Sequence, residues 1–159
     1  MAVMAFDVGE KRVGIAVGEA LTGRASVLPT LPPDDWIALG RTWRDWAPTA
    51  AVVGWPLTEE GALQPATERA LRFARALHGR FGCPVYACDE RFSSRAADDR
   101  LREDRASGRL GRRVRKSDRD AESARVILEQ WFSQGGAAGT LRLMPPASGT
   151  ANLGDNAGP

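Results

Sequence analysis

The chain has 159 residues, of which 26% are charged, with a formal net charge of +2. That length fits one domain plus a tail, and two cysteines with one histidine exclude a disulfide scaffold and argue against a four-ligand structural zinc site. No stretch approaches the roughly 20 apolar residues of a membrane span, and the N-terminus lacks the basic, apolar, small order of a signal peptide, so a reduced cytoplasmic setting away from membranes is expected.

Residues 3–8 (VMAFDV) read as a buried strand, GEKR at 9–12 as a tight turn, and VGIAV at 13–17 as the second strand of a hairpin. A third strand is expected over Ala25 to Leu31, ended by Pro32 and Pro33. Asp34 or Asp35 then caps a helix whose apolar positions are Trp36, Leu39, Trp43 and Trp46. The apolar run AAVVGW at 50–55 reads as a buried parallel strand stopped by Pro56. A helix follows from about Pro65 to Phe81, with Ala70, Phe73, Ala74, Leu77 and Phe81 on one face. Pro84 to Cys88 reads as another buried strand, followed by a short helix from Ser94, an Arg-rich loop and a last helix from about Ser117 to Phe132. A hairpin start followed by alternating strands and helices predicts an α/β fold, a mixed sheet with helices on both faces. Residues 1–134 form the expected domain. From Gly135 to Pro159 the chain is rich in Gly, Ala, Pro and Ser without periodicity, and reads as a disordered tail.

Three carboxylates stand out. Asp7 ends an apolar strand, where desolvating a charge costs several kcal/mol. It is either tied to Lys11, Arg12 or a turn, or it is a cation ligand. Glu90 follows a strand at the carboxyl edge, where open α/β sheets place their sites. It is either a ligand or a surface acid paired with Arg91 or Arg95. Asp120, three residues after Ser117, fits a capping box. At about 100° per residue, however, it falls in the arc of Ala124, Ile127, Leu128 and Trp131, the core-facing side, whereas Asp118 falls opposite. That favours Asp120 as a ligand. Hard cations prefer such oxygen donors, and paired ions support phosphodiester cleavage.

Residues 100–119 carry nine Arg or Lys against three Asp or Glu. Within them Arg112, Arg113, Arg115 and Lys116 form either a solvated loop or a phosphate-binding segment, for which the guanidinium fork is suited. Lys11, Arg12 and Arg91 add positive charge near the acids.

Four blocks in order carry a resemblance: AFDVGEKRVGIAVGEAL (5–21), VVGWPLTEEG (52–61), CDERFSS (88–94) and DAESARVILEQWF (120–132). Together they resemble the YqgF-type (RuvX-like) Holliday junction resolvases, also described as pre-16S rRNA nucleases. The resemblance implies a ribonuclease H-like fold and maps the acidic site onto Asp7, Glu90 and Asp120, with magnesium, or manganese in its place, as the ion that this fold implies. The departures are Ala5 for the usual Gly, Gly18-Glu19 for Ser-Asp, Ser93-Ser94 for two threonines, and Trp55 for the usual Leu. None removes a proposed ligand, and Ser93 and Ser94 keep both hydroxyls for nucleic-acid contact.

The expected function is therefore a metal-dependent endonuclease acting on structured nucleic acid. Its partners are an rRNA precursor or branched DNA, with ribosomal particles beside them, and the chain acts as a monomer or homodimer. Trimming of the pre-16S rRNA 5′ end is favoured over junction resolution, because a resolvase cuts two strands symmetrically and needs a two-fold dimer. A non-catalytic ribosome-assembly factor is the competing class, but three acids in its phosphate site would only repel the ligand. An actin-like phosphotransferase needs two lobes, and this chain is too short for them.

Overall fold

The computed structural model describes residues 1–56, 64–89, 116–138 and 142–144. The elements in chain order are β1 (Ala2–Val8), β2 (Val13–Glu19), β3 (Arg24–Leu31), α1 (Trp36–Trp46), β4 (Ala50–Trp55), α2 (Pro65–Phe81), β5 (Val85–Asp89), α3 (Lys116–Ser133), a short 3-10 turn (Gly136–Ala138) and β6 (Arg142–Met144). They build one six-stranded sheet in the order β3-β2-β1-β4-β5-β6. The β1–β2 and β2–β3 ladders are antiparallel, β1–β4 and β4–β5 are parallel, and β6 returns antiparallel on β5. This is the mixed sheet that the hairpin start and the later strand–helix alternation predict.

Local chemistry sets the helix ends. Asp35 caps α1, its carboxylate accepting the Ala38 N–H at 3.1 Å. Pro65 occupies the first turn of α2, where its missing N–H costs nothing. Gly82, at φ 68°, closes α2 in the left-handed conformation that glycine adopts without strain. Thr67 is buried, and its hydroxyl donates to the Pro56 carbonyl and accepts the Gln64 N–H, fixing the start of α2 against the end of β4.

The sheet separates two cores. On one face Met4, Phe6, Val8, Val13, Ile15 and Val53 meet α1 and α2. Phe73 packs on Phe6 and Trp36, and Trp43 stacks on Phe81 with centroids 4.4 Å apart. Trp36 and Trp43 are thus structural, while Trp46 is 47% exposed. On the other face Val3, Ala5, Ala16, Val52, Tyr86 and Cys88 meet Ala124, Ile127, Leu128 and Trp131 of α3. These are the residues that the helical wheel puts inward. Both cysteines are buried and unpaired with each other.

Two expectations change. The tail predicted to lack regular structure contributes β6, with Val85 opposite Met144 and Tyr86 opposite Arg142. A run of only three strand residues is invisible to periodicity, and pairing along β5 stabilises it. Helix α3 is described from Lys116, so Ser117 lies within the helix and not at its cap. The short helix expected from Ser94 lies outside the described residues. No helix among the described residues is long and apolar enough to cross a membrane.

Candidate active site

Side chains alternate along a strand. In β1, Val3 and Ala5 face α3, and Asp7 is the next position in that row. Asp7 stands opposite Gly14 of β2, and directly opposed residues share a face. A Cβ on Gly14 would lie 2.0 Å from the Asp120 carbonyl oxygen and 3.2 Å from the Ala121 nitrogen. The backbone of α3 therefore rests on Gly14, as a strand glycine permits. Asp7, Gly14 and the Asp120 main chain form one contiguous stack at the carboxyl end of β1, and Asp120 follows from it, half-buried.

Arg12 connects to this stack. Its Nε lies 3.8 Å from Asp120 Oδ2. Arg12, expected above as a partner of Asp7, thus pairs with Asp120 of the last helix. Both groups are partly exposed, so the pair contributes about 1 kcal/mol at most and exchanges readily. The Gly9 N–H donates to the Arg12 carbonyl at 3.0 Å, which holds the hairpin turn. Glu10 in the same turn pairs with Arg69 of α2 at 3.5 Å. The turn is therefore tethered to a helix on each face of the sheet. Gly9, Glu10, Lys11, Arg12 and Asp120 line a cleft of about 310 Å³. Two cations and two carboxylates share its wall.

The carboxyl edge continues along β4 and β5, where Trp55 pairs with Asp89. Trp55 lines a second cleft of about 350 Å³ with Gln64, Pro65, Thr67, Glu68 and Leu71. Tyr86 and Cys88 belong to the α3-side core and Val85 to the other. Alternation puts Asp89 on the α2 side, away from the face that carries Asp7.

Glu90, Arg91, Ser93, Ser94, Arg112, Arg113 and Arg115 lie outside the described residues, and Lys116 is described only as the first backbone position of α3. Among the described residues no three His, Cys, Asp or Glu side chains converge as metal ligands. The structure brings two of the three expected carboxylates to one end of one sheet face. Magnesium keeps several waters and is held through one or two carboxylates, so oxygen donors of this kind suit it. His78 sits in the last turn of α2, where its carbonyl accepts the Gly82 N–H.

Sequence reasoning missed the glycines. Gly14, Ala16 and Gly18 form a row of small residues on β2 facing α3. A Cβ on Gly18 would meet the Arg24 carbonyl at 2.4 Å and the Phe132 ring at 3.1 Å. The signal was a small residue at every second position of a strand.

The family model described as "RuvX: Holliday junction resolvase" matches residues 1–134. A protein of Burkholderia vietnamiensis is 44% identical over 135 residues, covering 82% of this chain and 88% of its own. One of Xanthomonas campestris pv. campestris is 44% identical over 135 residues, covering 82% and 86%. Both carry the name "Putative pre-16S rRNA nuclease". Among solved structures, T. thermophilus RuvC in complex with a Holliday junction substrate has a TM-score of 0.53 at 18% identity, covering 90% of this chain and 99% of that one. The Thermus thermophilus RuvC structure gives 0.52 at 18% identity, covering 90% and 100%. That likeness shows the fold, which is ribonuclease H-like. The chain belongs to the RuvX Holliday junction resolvase family.

Proposed function

We propose that the protein is a metal-dependent endonuclease that cleaves phosphodiester bonds in structured nucleic acid and trims the 5′ end of pre-16S rRNA in the cytoplasm, beside ribosomal particles. The observation that carries this reading is the packing of the Asp120 backbone onto Gly14, directly opposite Asp7. It brings two carboxylates to the carboxyl end of the sheet, next to a cleft lined by Lys11 and Arg12. The relatives named above point to the rRNA precursor.

Asp7, Asp120 and Glu90 would hold magnesium or manganese. When bound, such an ion would polarise the scissile phosphate and acidify an attacking water. The chain's own groups do the rest. Two carboxylates beside a phosphate repel it, so the site takes substrate only when positive charge offsets them. Lys11 and Arg12 supply part of that charge from the turn. Arg12 can exchange Asp120 for a phosphate oxygen at little cost, because its present pair is long and partly exposed. Arg91, Ser93, Ser94, Arg112, Arg113, Arg115 and Lys116 extend the phosphate contacts on this reading. Residues 1–134 then form the nuclease domain, and β6 adds an edge strand to its sheet from beyond them.

Junction resolution is the second reading, favoured by the description of the family that matches. One experiment separates them. The protein is incubated with magnesium or manganese and, in parallel, with a pre-16S rRNA fragment and a four-way DNA junction. Asp7→Asn, Glu90→Gln and Asp120→Asn are run alongside. Cutting of the rRNA fragment that each substitution abolishes is expected. Symmetric cutting of the junction alone favours resolution. Cutting that survives all three substitutions refutes the site, and binding without cutting in either metal refutes the enzyme.

A further inference from the structure

The two helical layers differ in charge. Helices α1 and α2 carry Arg41, Arg44, Arg69, Arg72, Arg75 and Arg80 against Asp45 and Glu68. Helix α3 carries Lys116, Arg119 and Arg125 against Asp118, Asp120, Glu122 and Glu129. The use of the charges differs too. Arg125 is held between Glu122 and Glu129, with both contacts at 3.6 Å. Arg41, Arg44, Arg72 and Arg75 are exposed and make no ion pair among the described residues. An ordinary solvated helix face would offer Glu68 to Arg72 at i,i+4 spacing, and that pair is not formed.

The layer also begins at the site. Helix α2 starts where Thr67 is bonded to the end of β4, and it crosses over between parallel strands, so it runs away from the carboxyl edge. Its first arginine, Arg69, pairs with Glu10 of the turn that lines the cleft. Arg72 and Arg75 then lie at steps of about 4.5 Å along the axis. A track of positive charge therefore leads from Lys11 and Arg12 down the outside of α2.

We infer that this α1–α2 face is a second nucleic-acid contact, over which the phosphate backbone flanking the cleaved bond leaves the site. It rests on the nuclease reading above and fixes which side of the sheet the substrate covers. Such contacts hold the backbone and read no bases, so RNA and DNA arms are both candidates and the test uses both.

The full-length chain is titrated by fluorescence anisotropy against branched substrates with long or short duplex arms, as RNA and as DNA. Titrations run in chelator across a potassium chloride series, so that binding is read without cutting. The variant is Arg72→Gln/Arg75→Gln. The control is Arg24→Glu, which changes net charge equally from the β3 strand. Each phosphate contact contributes about 0.9 to the salt slope on B-form DNA. The double variant should therefore lower the slope by roughly 1.8 on long DNA arms, with a loss in the same direction on long RNA arms, and leave short-armed substrates unchanged. A loss on long arms of either nucleic acid supports the face. An unchanged slope, or a loss matched by Arg24→Glu, overturns it, as does the absence of salt-dependent binding by the natural chain. A natural chain that binds with this slope but never cuts refutes the nuclease reading alone. A chain that cuts while the double variant keeps the natural slope refutes the face alone.

Discussion

Gly14→Ala tests the geometry of the site most directly. The added methyl would sit 2.0 Å from the Asp120 oxygen and 2.6 Å from its carbonyl carbon. Both are backbone atoms, so no side chain can swing aside. An ordinary contact needs about 3.5 Å, and the first turns of α3 must withdraw by roughly 1.5 Å. Overpacking of this kind costs about 1–3 kcal/mol. The larger effect should be on chemistry, because a misplacement of about 1 Å costs on the order of 100-fold in rate and this one moves Asp120 away from Asp7. Gly18→Ala is the matched control. It meets the Arg24 carbonyl at 2.4 Å and Phe132 at 3.1 Å, toward the far end of α3, so it should destabilise comparably while Asp120 stays in place. Urea unfolding gives the stability change, and cleavage of the rRNA fragment, at a temperature where all three proteins are folded, gives the rate. Cleavage by Gly14→Ala equal to that of Gly18→Ala at matched stability would refute the reasoning.

Three further outcomes are expected. Arg12→Gln should change unfolding free energy by less than about 1 kcal/mol, since its pair with Asp120 is long and partly exposed, yet weaken nucleic-acid binding evenly across sequences; filter binding on several sequences checks both. Ala47 caps α1 at φ 46°, a conformation costly to L side chains, so Ala47→Gly should raise stability by up to about 1 kcal/mol in urea; a loss would contradict this. Burial raises the Cys83 thiol from 9.0 to about 11. The unfolded chain therefore ionises first, so this group's contribution is intact below pH 9 and is lost as pH rises toward 11. Cys83→Ala should show a shallower loss of stability across that window than the natural chain, and parallel curves would refute it.

Much of the fold was legible because local signals and burial agree. Asp35, Pro65 and Gly82 punctuate the helices where the apolar spacing starts and stops, and the run AAVVGW, stopped by Pro56, is short and continuous as a buried strand is. Pairing with distant segments was not legible. β6 exists because β5 offers an edge, and nothing in Gly-Thr-Leu-Arg-Leu-Met signals that edge. The site was half legible. Asp120 could be oriented from its own helix, because Ala124, Ile127, Leu128 and Trp131 define the inward arc. The partner of Arg12 could not be found that way, since the hairpin turn and α3 meet only in three dimensions. The family blocks located Asp7 and gave no reason for the glycine opposite it.

That glycine ties stability to function. Gly14 and Gly18 weaken β2 as a strand, by roughly 0.5–1 kcal/mol each relative to alanine. In return α3 lies close enough to bury Ile127, Leu128 and Trp131 against Ala5, Ala16 and Val52, and each large apolar side chain buried contributes about 1.5–3 kcal/mol. The same close seat sets the Asp120 main chain directly on Gly14. Contact at that point is what brings the second carboxylate to the strand end where Asp7 stands. The edge strand β3 is closed by the same helix, where Glu129 accepts the Ala25 N–H at 3.1 Å and Pro29 offers no donor. Helix α3 thus closes the sheet at the β3 edge and seats the Asp120 backbone at the carboxyl end, on the glycine opposite Asp7.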